Sequence, residues 1–476
     1  MLRLLSVIIV AVGIGVAVSP VSQAAPPGQL APAVIDDYLE AALESTGLPG
    51  LSAVVTQGDR VVHAAGYGHD SGGRPVSADT PMRVASLSKS FTAAAVMILV
   101  EEGRIGLDRT VSEQLPGFIT ADQRAAEVTV RQLLNQTSGL TDLTVDINRV
   151  QEAKSLAEYV SRLDTATLAT DPGTRFKYCN VNYNLAARLV EVSSGLSFGD
   201  FLAQRVFGPL GMRHSAVSTQ KISPAAGYNS LFGAWIARPE LSGFLDNSGS
   251  GGVITTAADL GKWLIAQNGR GPRLLSQAAL DTMHTSSPVD EYAMGWAPEG
   301  TDSTLLAHSG NLFTYTAFQA IDPATGYGYA VLANSSALHD DTYDIVNGLI
   351  ALSQGRTPAD VGGGRQRFEL ILGSIALGAV GLAILGALRS RRWAQRCAQR
   401  SWWRIALRLA PLVLPIFLFA AYPLLVSVIS GGRTVTWSQL TYFAAPLTIT
   451  LLVTAAAGAS TVIFRAVRLR SVRSTR

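Results

Sequence analysis

Ser86 and Lys89 stand three residues apart at the mouth of the apolar run Phe91–Val100. On a helix, positions i and i+3 share one face, so a serine hydroxyl in the first turn lies against a lysine amine. A serine Oγ attacks carbonyl carbon poorly until a base removes its proton. A lysine desolvated against an apolar helix is such a base, because burial lowers the ammonium pKa. The positive end of the helix dipole beneath the pair favours the anion that develops. The chain has only five lysines, at 89, 154, 177, 221 and 262. A second Ser-x-x-Lys, Ser218–Lys221, is followed by Pro224 and Gly227, which break any helix there and predict a surface loop.

Two further groups extend the chemistry. Tyr178-Cys179-Asn180 precedes the helical run Tyr183–Glu191 and is the only Tyr-x-Asn among thirteen tyrosines. A tyrosinate, or a Tyr–Lys pair sharing a proton, relays the serine's proton to a leaving group. The Asn180 amide can orient the lysine and hold a substrate carbonyl. His308-Ser309-Gly310-Asn311 ends a strand-like run. A glycine on an edge strand lets a substrate backbone lie beside it, and a main-chain N–H there, with that of Ser86, forms an oxyanion hole. Taken singly, the second and third groups read equally as a packed loop tyrosine and a plain strand end.

The elements that must position these residues follow from periodicity. Pro32–Ser45 predicts an amphipathic helix, with Ile35, Tyr38, Leu39 and Ala42 on its apolar side. Strands are expected over Leu51–Thr56, Arg60–Tyr67, Leu305–His308, Phe313–Ile321 and Tyr327–Ala333, and a closing helix over Thr342–Ser353. Sequence-local pairings imply antiparallel strands. The fold class expected is α+β: an antiparallel sheet flanked by N- and C-terminal helices, with an inserted helical subdomain.

In this order the three groups resemble the class C β-lactamase and DD-peptidase family, which also holds family VIII carboxylesterases and penicillin-binding-protein-like hydrolases. The resemblance runs from about residue 32 to 354. It includes Val130–Leu140, Pro209–Met212, Gly251–Asp259 and Tyr292–Trp296. It implies that Ser86 is the acylated nucleophile, Lys89 its activator and Tyr178 the proton shuttle. Asn180 would be the amide contact, His308-Ser309-Gly310 the strand lining the cleft, and Asn311 the source of the second oxyanion N–H. Class C β-lactamases carry lysine where this chain has His308, and that cation helps hold the antibiotic's carboxylate. A histidine is mostly neutral at pH 7, which favours a peptidase or esterase. The alternative is a penicillin-binding sensor or a non-hydrolytic envelope protein.

Outside that unit the chain reads as membrane-bound. Met1–Arg3, the apolar Leu4–Val18 and Ser22-Gln-Ala24 form a secretory signal over 1–24, cleaved after Ala24 or retained as an anchor. The hydrolase-like domain is expected over 25–354, a linker over 355–369, and a basic tail over 465–476. Between them, Leu370–Leu388, Leu409–Ile429 and Leu440–Phe464 are each long enough to span a bilayer. From residue 365 on there are 15 Lys+Arg and one acid, Glu369. The arginines crowd between spans one and two and after span three, while the loop between spans two and three carries only Arg433. By the positive-inside rule the first loop and the tail are cytoplasmic, and the domain before them is outside. These arginines bracket apolar spans, so their partner is the inner leaflet and not nucleic acid. Cys179 and Cys397 then lie on opposite sides and do not pair. The six histidines show no tight ligand spacing, and neither a metal nor another cofactor is implied. The partners implied are a small-molecule, peptide or ester substrate and the bilayer.

Overall fold

Helix α1 (Pro32–Thr46) turns its Ile35, Leu39 and Ala42 onto one face of a sheet, and Gly47, with φ 63°, ends it. The structure is a computed structural model that describes residues 30–300 and 304–475; the signal segment expected at 1–24 lies outside the described residues. The sheet contains β1 (Gly50–Gln57), β2 (Arg60–Gly68), β5 (Ala297–Pro298), β6 (Leu306–Asn311), β7 (Thr316–Asp322) and β8 (Tyr327–Ala333). Its order is β2-β1-β8-β7-β6-β5, with every neighbouring pair antiparallel.

Period-two alternation divides these strands between two cores. Leu51, Ala53 and Val55 of β1, with Tyr329 and Val331 of β8, pack under α1 and the closing helix α5 (Asp341–Ser353). Val54, Ala330 and Leu332 face the other way, into the core of the helical insertion. At the centre of that insertion is α2 (Ser88–Glu101), almost wholly buried because it is apolar on every side. Its Phe91 stacks on Trp263 of α4 (Ala257–Gln267) at 4.0 Å between ring centres. Helix α3 (Asn180–Ser194) also belongs to the insertion, and the hairpin β3 (Gly227–Leu231) and β4 (Ala234–Arg238) pairs through β3 with Ser335–Ser336 just beyond the sheet's β8.

Strand and helix expectations hold with shifted ends. The strand expected from Phe313 begins at Thr316, because Leu312–Tyr315 form a turn closed by Leu312 N–H to Tyr315 O at 2.9 Å. The strand expected to end at His308 continues to Asn311. Ser218–Lys221 is a turn, as Pro224 and Gly227 require.

Three long helices follow: α6 (Gly364–Leu388), α7 (Trp402–Ile429) and α8 (Ala445–Ser474), with mean hydropathies of 2.3, 2.5 and 1.9 over their most apolar windows. Each is long and apolar enough to cross a membrane. α6 starts at Gly364, so Arg365 and Glu369 are helical, and α8 carries the expected tail's arginines almost to the end. Pro446 in the first turn of α8 sets that helix's start after Leu440.

Candidate active site

Ser86 lies in a 3-10 turn, Ala85–Leu87, that feeds α2. Ala85 immediately before it has φ 49°, the left-handed region that costs an L-residue about 1–3 kcal/mol. This turn is anchored from both sides: Leu87 N–H donates to Val84 O, and the Ser88 hydroxyl donates to Ala85 O at 2.6 Å. Gly310 of β6 presses on it. A Cβ at 310 would stand 2.3 Å from Val84 O, so no other residue fits without moving the turn.

Lys89 is fully buried, and its Nζ donates to Ser86 Oγ at 2.9 Å and to the Ser250 carbonyl at 2.8 Å. Its Nζ also lies 4.7 Å from the centre of the Tyr178 ring and 5.7 Å from that of Tyr183. Burial holds the Lys89 pKa well below that of a free lysine, and the Arg433 charge lowers it further; Cys179 and Asp142 oppose this more weakly. Tyr178 is half-buried, and desolvation pushes its phenol up to about 12 despite the neighbouring Ser86 hydroxyl, which favours the ionised form. At neutral pH it is therefore a phenol, which favours the Tyr–Lys pair sharing a proton over a tyrosinate.

The remaining predicted residues divide between two neighbouring cavities. Ser86, Asn180 and Asn311 line one of about 360 Å³. Tyr178, His308 and Ser309 line the other, of about 540 Å³, and Tyr178 faces Lys89, whose Nζ lies 4.7 Å from its ring centre. Asn180 opens α3 but does not orient the lysine; the Ser250 carbonyl does. Its buried Oδ1 has no partner among the described residues, leaving an acceptor at the cleft. β5 pairs only with Ala307 and Leu306, so His308–Asn311 present a free strand edge on that side among the described residues.

His308 is neutral at pH 7: burial, and then the Lys89 charge, push its pKa down to about 4. Its Nδ1–H donates to Ser309 O at 2.7 Å, and Nε2 accepts from the Tyr292 hydroxyl at 3.0 Å. The sequence reading missed Ser250, Asp142 and Arg433. Ser250 abuts the Gly251–Asp259 stretch. Arg433 had a signal, as the one basic residue between the second and third spans.

Comparison with known proteins identifies the family and the fold. The Beta-lactamase family model matches residues 35–353. Protein flp of Staphylococcus aureus (strain MW2) is 29% identical over 314 residues, covering 63% of this chain and 62% of that protein. The chain thus spans less than two thirds of the length of that relative. Penicillin-binding protein 4 of Amycolatopsis lactamdurans is 30% identical over 310 residues, 60% of this chain and 81% of that one. Among solved structures, the octameric penicillin-binding protein homologue from Pyrococcus abyssi superposes with TM-score 0.60 at 25% identity, covering 72% of this chain and 81% of that one. A class C beta-lactamase gives TM-score 0.58 at 22% identity over 67% and 95% of the two chains, a likeness of fold. With the sheet, the insertion and the Ser86–Lys89 turn in place, this chain belongs to the beta-lactamase family, whose members are generally serine hydrolases.

Proposed function

We propose that the protein is a membrane-anchored, extracytoplasmic serine hydrolase that works through an acyl-enzyme on D-alanyl peptides, D-alanyl esters or small carboxylic esters. The observation that carries this reading is the 2.9 Å contact between the Ser86 hydroxyl and a fully buried lysine amine of lowered pKa. In the reaction, Lys89 takes the Ser86 proton as Oγ bonds to the substrate carbonyl carbon. The carbonyl oxygen becomes an oxyanion facing the main-chain N–H groups of Ser86 and Asn311. Tyr178, its ring centre 4.7 Å from Lys89 Nζ, passes the proton to the departing alcohol or amine as the scissile bond breaks. Water then attacks the acyl group by the same route in reverse and restores the free hydroxyl. The uncharged His308 supports esters and peptides over β-lactams as the substrates turned over. Supporting the membrane reading, the loop between α7 and α8 lies on the domain's side, and the arginine-rich α6–α7 connection joins the opposite helix ends.

The test is turnover by the full chain in detergent or nanodiscs on p-nitrophenyl acyl esters, a D-Ala-D-Ala peptide and a chromogenic cephalosporin. Ester or peptide turnover should exceed cephalosporin turnover, and Ser86→Ala should lower it by at least about a thousandfold. Full activity in Ser86→Ala would refute the assignment. A labelled penicillin retained for hours without turnover of any substrate would transfer it to a sensor.

A further inference from the structure

The cavity that holds Ser86 is not closed by the hydrolase-like domain alone. Its walls include Asp142, with Asn148 and Gln151 on the short helix Ile147–Gln151, and the loop Leu241–Leu245, but also Arg433, Thr434, Thr436, Ser438 and Gln439. These last five connect the second and third apolar helices. Further contacts hold that connection in place. The Arg238 guanidinium lies 3.4 Å from the Tyr442 ring centre and donates to Thr441 O, and Phe313 packs on Tyr442 and Phe443. Thr434 bonds the Asp142 main chain.

Arg433 is the only cation lining this cavity among the described residues, since Lys89 lies fully buried behind Ser86. Its Nε donates to Asp142 Oδ2 at 2.8 Å, and its guanidinium lies 5.3 Å from the Tyr178 ring centre. Asp142 is fully engaged: Oδ2 also accepts from Thr434 N–H, and Oδ1 from the Cys179 thiol. The arginine is therefore fixed through one nitrogen. Nη1 and Nη2 have no hydrogen-bond partner among the described residues, and the side chain stays 35% exposed, at the cavity. A planar pair of N–H donors held by its third nitrogen is the geometry that receives a carboxylate bidentately.

We infer that Arg433, supplied by the membrane region, is the specificity residue of this site and binds a free carboxylate on the substrate. This rests on the hydrolase reading above and narrows it: the preferred substrates are anionic esters or peptides, and the membrane helices are a structural part of the active site. It also gives the three spans a task that a single anchor would not perform, because only a return through the membrane brings residues 430–444 back to the domain.

The test uses the full chain in nanodiscs and two matched pairs of ester substrates. In one pair a free carboxylate sits on the acyl part, in the other on the leaving alcohol; each is compared with its own methyl ester. Wild type should prefer the charged member of one pair in kcat/KM. Arg433→Ala should reduce that preference by about ten- to hundredfold, the worth of a charge-assisted hydrogen bond, and chiefly through KM. Arg433→Lys should keep part of it. An unchanged preference in Arg433→Ala, or no preference in wild type, overturns the inference while leaving the hydrolase reading intact. If Arg433→Ala does not fold, the wild-type preference and Arg433→Lys decide the matter. Activity that survives Ser86→Ala, or no wild-type turnover of any ester, removes the hydrolase reading and this inference with it.

Discussion

Among the described residues Lys89 reaches Ser86 with no carboxylate in its hydrogen-bond shell; its two partners are a hydroxyl and a carbonyl. Both accept a proton's attraction without fixing a full charge, which is why burial can keep the amine free. The same dry surroundings act on His308. Its pKa falls from 6.5 to about 4, so the folded chain refuses a proton that the unfolded chain accepts. For a base of lowered pKa, that difference is absent above pH 6.5, grows as pH falls from 6.5 to 4, and stays constant below. Stability therefore declines on acidification through that window, by about 3 kcal/mol from this residue at its limit. Burial also pushes His284 down to about 4, so it adds to the decline in the same window. An apparent Tm measured from pH 7.5 to 4 should fall steepest between 6.5 and 4, and His308→Gln should make the fall shallower. An equal slope in the variant would show that His308 titrates normally.

At the scale of elements, the Ala85–Leu87 turn that holds Ser86 is squeezed between α2 and β6, and Gly310 sets the spacing. With a Cβ only 2.3 Å from Val84 O and 2.9 Å from Leu87 Cδ1, Gly310→Ala must push β6 off the turn. Overpacking of this kind costs about 1–3 kcal/mol. It also separates Asn311 from Ser86, so turnover should fall by more than tenfold while penicillin labelling slows; a variant with wild-type rates would show that the strand does not abut the turn. The sequence carried Ser86, Lys89 and Gly310 openly because their chemistry depends on local spacing and on a missing side chain. β1 and β8 were equally legible from alternation. The Leu312–Tyr315 turn was not, since its residues favour strands and only the tertiary contacts bend them. Arg433 was legible as a lone charge between spans, but its place beside Tyr178 depends on how the helix bundle meets the domain, and no local pattern encodes that.

At the scale of the whole molecule, the domain is latched to the top of α6. Arg365 donates to Ser230 Oγ at 2.8 Å and to Thr46 O at 3.1 Å, and lies 4.3 Å from the Trp235 ring centre. Glu369 accepts from Gly233 N–H at 2.7 Å and stands 3.7 Å from Arg365. Both side chains are 5% exposed or less. Removing one member of such a buried pair strands the other charge, at about 3–5 kcal/mol. Glu369→Gln should therefore loosen the hairpin β3–β4 from α6, and with it Arg238, which holds Tyr442 and the Arg433 loop. Amide exchange should quicken at 227–238 and 430–444 together, and the preference for carboxylate substrates should drop towards that of Arg433→Ala, although residue 369 lies outside the cleft. Faster exchange with selectivity unchanged would mean that the loop is held by the domain alone. Neither change would mean that the latch is not what seats the domain on its helices.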